Sequence, residues 1–281
     1  MTGVHAPGLK VPVRDTFLMA HHVLMAHGMA VKKMRQVARR DILIGIAPTG
    51  SMSYPDSERP EDIEAARMHL MQVNPDLQNW TWNVTWWSDP IFRGEYPEDG
   101  LRLYKDYLPT MTPEDMKLIS QPIDFYGQNI YNGNRIRMGK DGKPEVVKRY
   151  DGFPKTALGW PVTPECLYWG PYFLYERYQS PIYITENGLS CHDTVSSDGK
   201  VHDQNRIDFL EGYLKQLKHA SEDGVDIRGY FHWSLMDNFE WHSGYADRFG
   251  MIYVDYRTQE RIIKDSGYWY EKVIRENGEF L

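Results

Sequence analysis

Four short apolar runs punctuate this chain, and each leads into polar or aromatic side chains. They are Ile42 to Ala47, Ile123 to Tyr131, Ile182 to Thr185 and Val225 to Trp233. Runs this short, rich in β-branched residues and bounded by Pro or Gly, read as buried strands. Stretches of helical length lie between and after them. These are Arg59 to Val73, Thr163 or Pro164 to Tyr178, Asp203 to Asp223 with Ile207, Leu210, Leu214 and Leu217 on one face, and Lys264 to Arg275. Alternating strands and helices predict an α/β fold. Polar groups recurring at strand C-termini favour a parallel barrel over a doubly wound sheet. With 281 residues and no linker, repeat or low-complexity segment, residues 1–281 are expected to form a single domain.

Acidic side chains outnumber basic ones, 39 to 32, which argues against nucleic acid or an anionic membrane as partner. Cys166 and Cys191 are too few for a disulfide framework and read as free thiols in a reducing, cytoplasmic compartment. No signal peptide is recognisable, and the apolar stretch Phe17 to Val31 is too short for a membrane span. That stretch belongs to a helix expected from Asp15 to about Arg39. His22 and His27 within it are five apart, share no helix face and have no interleaved carboxylate, so packing is preferred to a metal site. The tryptophans from Trp80 to Trp87 are expected to pack between helices, with lining of a ligand cleft as the alternative. Helical pieces are expected at Leu101 to Leu108 and Pro113 to Ser120, and a hairpin tip at Asp141-Gly142. Asn83-Val84-Thr85 fits a glycosylation sequon expected to be silent.

Glu186 stands where the Ile182 to Thr185 strand ends, before Asn187-Gly188. A carboxylate at the mouth of a buried parallel strand is placed for acid, base or nucleophile work. A solvated glutamate ahead of an Asn-Gly turn fits the octapeptide equally well. The stretch after the last strand weighs against that: Gly229-Tyr230-Phe231-His232-Trp233-Ser234-Leu235-Met236-Asp237-Asn238-Phe239-Glu240-Trp241, closed by Arg248 to Asp255. Together with Pro181 to Gly188, Gly3 to Gly8, Asp89 to Pro97 and Asp124 to Tyr131, it resembles glycoside hydrolase family 1, the β-glucosidase family. The resemblance runs over nearly the whole chain.

The resemblance implies a (β/α)8 TIM barrel, of which this chain supplies about the last four βα units. It implies Glu186 as catalytic nucleophile and Tyr131 as the residue that hydrogen-bonds it. Asn129, Trp233, Glu240, Trp241 and Phe249 would bind the sugar. Carboxylates give charge-assisted bonds to hydroxyls, and indoles give a flat apolar face with one N–H. Glu240 would repel a phosphate, so an unphosphorylated β-glycoside is expected. No metal or organic cofactor is implied. The family's acid/base glutamate lies in an Asn-Glu-Pro motif, and that motif is missing from this sequence. The chain is therefore expected to begin just past it. Half a barrel exposes two sheet edges and an apolar inner face. A second copy or a complementing N-terminal half-barrel is the expected partner, and a non-catalytic fragment or pseudoenzyme the alternative to an enzyme.

Overall fold

Residues 3–281 are described by the computed structural model. Helix α1 (Val13–Val37) opens the chain, followed by β1 (Gly45–Ile46), β2 (Met52–Pro55) and α2 (Pro60–Met71). A 3-10 turn at Trp80–Trp82 precedes α3 (Val84–Phe92), α4 (Glu98–Leu103) and α5 (Pro113–Ile119). Next come β3 (Phe125–Asn129), β4 (Gly133–Met138), β5 (Pro144–Val146), α6 (Cys166–Tyr178), β6 (Ile182–Asn187), α7 (Gln204–Glu222) and β7 (Ile227–His232). A second 3-10 turn, Trp241–Ser243, leads to β8 (Ile252–Val254), β9 (Arg261–Ile263) and α8 (Asp265–Arg275).

The main sheet has the order β1-β3-β6-β7, parallel throughout. Successive strands are neighbours and the order never reverses, so there is no doubly wound switch point. Each strand returns through helices, the arrangement of four consecutive units of the expected (β/α)8 barrel. Ile182 and Ile184 are fully buried in one cluster with Leu167, Phe173, Leu210 and Tyr213 from α6 and α7. Each such side chain contributes about 1.5–3 kcal/mol. The alternate residue Tyr183 faces the other side, its ring 4.8 Å from Phe125. That inner side and its margins are open: Leu43 is 72% and Phe231 57% exposed.

The helix expected from Asp15 starts at Val13, because Pro12 brings a backbone already suited to helix entry, and it stops at Val37. On α7 the buried face is Phe209, Leu210, Tyr213, Leu214 and Leu217, whereas Ile207 is only partly covered. The Leu101 to Leu108 piece is instead Glu98–Leu103. Gly139 and Lys143 close the β4–β5 hairpin around Asp141-Gly142. The β8–β9 hairpin was not anticipated.

The tryptophans divide. Trp80 and Trp86 are buried with Phe17 and Tyr104, while Trp82 is 53% exposed. Asn83 is buried too, its amide bonded to Tyr104 and to the Asn74 N–H. His21 hydrogen-bonds Tyr96 within the α1 packing. Among the described residues, no three His, Cys, Asp or Glu side chains form a metal-binding group, and no helix is long and apolar enough to cross a membrane. Cys166 and Cys191 are free and buried.

Candidate active site

Glu186 lies near the C-terminal end of β6, half-buried, in register with Asn129 of β3 across a bulge. The bulge matters because it breaks strict alternation and re-aims a side chain at the mouth of the sheet. The Tyr131 hydroxyl donates to Glu186 Oε2 at 2.7 Å. Burial and the neighbouring Glu186 carboxylate push the Tyr131 phenol well above its usual range, so it remains a donor. Asn129 is held beside them by the Thr185 hydroxyl, which donates to its Oδ1 at 2.6 Å.

Below Glu186 the backbone is locked. Asn187 is fully buried, donates to Ile130 O and accepts from the Tyr230 hydroxyl. The Trp233 N–H donates to Asn187 O at 2.8 Å, joining the end of β6 to the loop after β7. A Cβ at Gly188 would lie 2.0 Å from the Trp233 carbonyl oxygen, so only glycine permits this approach. The Trp233–Ser234 peptide is cis. His232, pushed down to about 3 by burial and the nearby Arg206, stays neutral beside the Phe249 carbonyl.

The loop after β7 brings in Trp233, Glu240 and Trp241. The Trp233 indole N–H points at Glu240 Oε2 at a long 3.4 Å. Burial raises the Glu240 pKa, with Asp247 and Glu186 adding to it and the Trp233 bond opposing it. Trp241 is 67% exposed at the rim. Phe249 is buried beneath, its ring 6.1 Å from Trp160 and 6.4 Å from Tyr131.

A buried ionic cluster fixes this loop. Asp237 accepts from Lys264 at 2.8 Å, from Arg248, and from the Gly250 N–H. Lys264, fully buried, also donates to Asp193 at 2.6 Å. Arg206 completes the set through Asp193 and Asp203.

All seven residues singled out from the sequence line one cleft of about 720 Å³. The sequence reading missed Trp160, His5 and the Thr49–Ser51 segment, which line it as well, and Trp82 follows the alternative given for its stretch, lining the cleft rather than packing between helices. Gly159-Trp160-Pro161 marks a loop in the sequence, but nothing in it reports that the indole faces the cleft. Among the described residues, Glu186 and Glu240 are the two carboxylates of the cleft. The arrangement offers one half-buried carboxylate with a free oxygen, flat indole faces and a second carboxylate able to take paired hydroxyls, a combination suited to a sugar ring.

Comparison with known proteins agrees with this chemistry. The family model described as Glycosyl hydrolase family 1 matches residues 1–279. The chain is 47% identical over 278 residues to a 1,4-beta-D-glucan glucohydrolase of Thermotoga neapolitana, covering 98% of this chain and 60% of the relative. It is 43% identical to Beta-glucosidase A of Acetivibrio thermocellus, again with 98% and 60% covered. A solved β-glucosidase from Thermotoga maritima in complex with glucoimidazole superposes with a TM-score of 0.83 at 45% identity, over 98% of this chain and 60% of that one. The chain thus spans about 60% of the length of these relatives.

Proposed function

The chain belongs to glycosyl hydrolase family 1, and on that premise we propose that it carries the nucleophile side of a retaining β-glycosidase site for terminal, unphosphorylated β-D-glycosides. The observation that carries the reading is the Tyr131–Glu186 hydrogen bond inside a cleft shared with Trp233 and Glu240. Glu186 attacks the anomeric carbon, forming a C1–O bond as the leaving oxygen takes the electron pair of the bond it loses. Tyr131 orients the attacking carboxylate. Trp233 is the platform under the sugar, Glu240 and the Trp241 indole N–H hold its hydroxyls, Asn129 lies beside the nucleophile and Phe249 closes the wall. The negative Glu240 favours hydroxyls over a phosphate.

A retaining site also needs an acid/base carboxylate about 5–5.5 Å from the nucleophile. Glu240, engaged with Trp233, is poorly suited to it, so the acid/base comes from outside this chain. Losing a general acid lowers rates by about 10²–10⁴-fold, so the chain alone turns over natural β-glucosides slowly or not at all. The open β1 and β7 edges and exposed Leu43 and Phe231 favour a complementing N-terminal half-barrel, or a second copy, as partner. The free, buried cysteines suit the cytoplasm.

A second reading is a sugar-binding fragment without catalysis, favoured by the lack of a further carboxylate among the described cleft residues. Azide separates the two. With 2,4-dinitrophenyl β-glucoside, whose leaving group needs no proton, two successive inversions at C1 release the β-glucosyl azide. Detection of that anomer by NMR supports the enzyme; absence of any azide product supports the fragment.

A further inference from the structure

Trp82 has a use that the glycosidic chemistry does not assign. Two residues earlier, Trp80 is sunk in the core, stacked on Phe17 at 4.1 Å and on Trp87 at 6.0 Å. The single 3-10 turn between them puts Trp82 outside, 53% exposed. Its neighbour Asn83 ties the loop to Asn74 and Tyr104. The exposed indole therefore stands on a rigid base.

Its position is the second observation. Trp82 and Ser51 line both the cleft of Glu186 and an adjoining cleft of about 370 Å³. Its walls are mixed, with Ser53, His69, Asn74 and Asn134 beside Leu70, Val73 and Val84. Trp82 also borders the end of β1, beside Ile46 to Thr49. In the sheet β1 lies two strand spacings from β6, roughly 10 Å, on the side away from Trp233 and Glu240. A ligand whose terminal sugar sits against Trp233 thus has room for further rings before it reaches Trp82.

We propose that Trp82 is a stacking platform for a sugar unit on the leaving-group side, with the polar side chains of the adjoining cleft receiving its hydroxyls. The preferred ligand is a β-linked oligosaccharide rather than an alkyl or aryl glycoside. The inference rests on the placement of the terminal sugar given above. A flat apolar face flanked by short hydroxyl and amide side chains matches a sugar ring, which is apolar on its faces and polar around its edge.

The test is calorimetric titration of the chain with glucose and with β-1,4-linked glucose oligomers of increasing length, for wild type, Trp82→Ala, Trp82→Phe and Trp233→Ala. Affinity is expected to rise beyond the disaccharide in wild type. Trp82→Ala should remove about tenfold of that rise while leaving glucose binding unchanged, and Trp82→Phe should restore most of it. Trp233→Ala should weaken every ligand. An unchanged chain-length dependence in Trp82→Ala overturns the platform. Loss of glucose binding in wild type, with Trp82-dependent oligomer binding retained, overturns the terminal-sugar placement and keeps the platform. No binding of any sugar overturns both.

Discussion

Replacing Lys264 by Met should unsettle the whole strand-end apparatus without touching a sugar. Lys264 is fully buried between Asp193 at 2.6 Å and Asp237 at 2.8 Å. Around it three aspartates (Asp193, Asp203, Asp237) face three cations (Arg206, Arg248, Lys264). Each aspartate beside Lys264 keeps an arginine in the variant, but one negative charge of the cluster loses its counter-charge. Removing one partner from a buried pair costs about 3–5 kcal/mol. For a chain of this size 1 kcal/mol shifts the melting temperature by roughly 2–4 °C, so a fall of at least about 6 °C is expected by calorimetry. The pH dependence adds a second readout. Burial raises the Asp193 pKa, but Arg206 and Lys264 outweigh it and hold the carboxyl below its usual range. A depressed folded pKa contributes stability above the unfolded value, lost as pH falls through the folded one. With Lys264 gone, the cluster takes up a proton more readily. The gap between variant and wild type should therefore be widest at neutral pH and shrink as pH falls below about 4. A loss below about 1 kcal/mol, or a gap that does not change with pH, would refute the reasoning.

Three other substitutions follow from the same geometry. Gly188→Ala drives a methyl into the Trp233 carbonyl and should cost more than about 3 kcal/mol, read from urea unfolding, with sugar binding lost alongside. Tyr131→Phe deletes a charge-assisted hydrogen bond worth about 1.5–3 kcal/mol, so glycosylation by dinitrophenyl glucoside should slow by about 10–150-fold in stopped-flow absorbance. Burial raises the Glu240 pKa, so its ionised form opposes folding, and the folded state gains stability as pH falls through that raised pKa. Glu240→Gln should therefore melt higher than wild type at neutral pH and lose that gain on acidification. Its glucose affinity should fall in calorimetry.

The main-sheet strand at Ile182 to Thr185 was legible because it is local, with its β-branched pattern and its Pro and Gly boundaries within eight residues. The buried strand expected at Ile42 to Ala47 is only Gly45–Ile46, with Leu43 exposed at the sheet edge, and β2, β8 and β9 are too short to show a pattern. The clustering of Tyr131, Trp233 and Glu240 around Glu186 was legible only through several long motifs in the right order. Lys264 was not legible at all. Its burial is created by aspartates 71 and 27 residues away in sequence, and an isolated lysine ahead of a helix reads as solvated. Trp82 and Trp80 are indistinguishable in a Trp-Thr-Trp string. A single 3-10 turn sends one into the core and the other to the cleft. Trp160 entered the cleft from a loop without periodicity, where no hydrophobic pattern reports a facing direction. The start of α1 shifted because Pro12 competes with Asp15 for the entry position.

The central claim is that Glu186 acts as a nucleophile, and intact mass after incubation with 2,4-dinitrophenyl β-glucoside tests it most directly. The account predicts one added glucosyl unit on the chain, mapped to Glu186 by peptide fragmentation and absent from Glu186→Gln. No adduct on the folded chain, or an adduct that persists in Glu186→Gln, would contradict it.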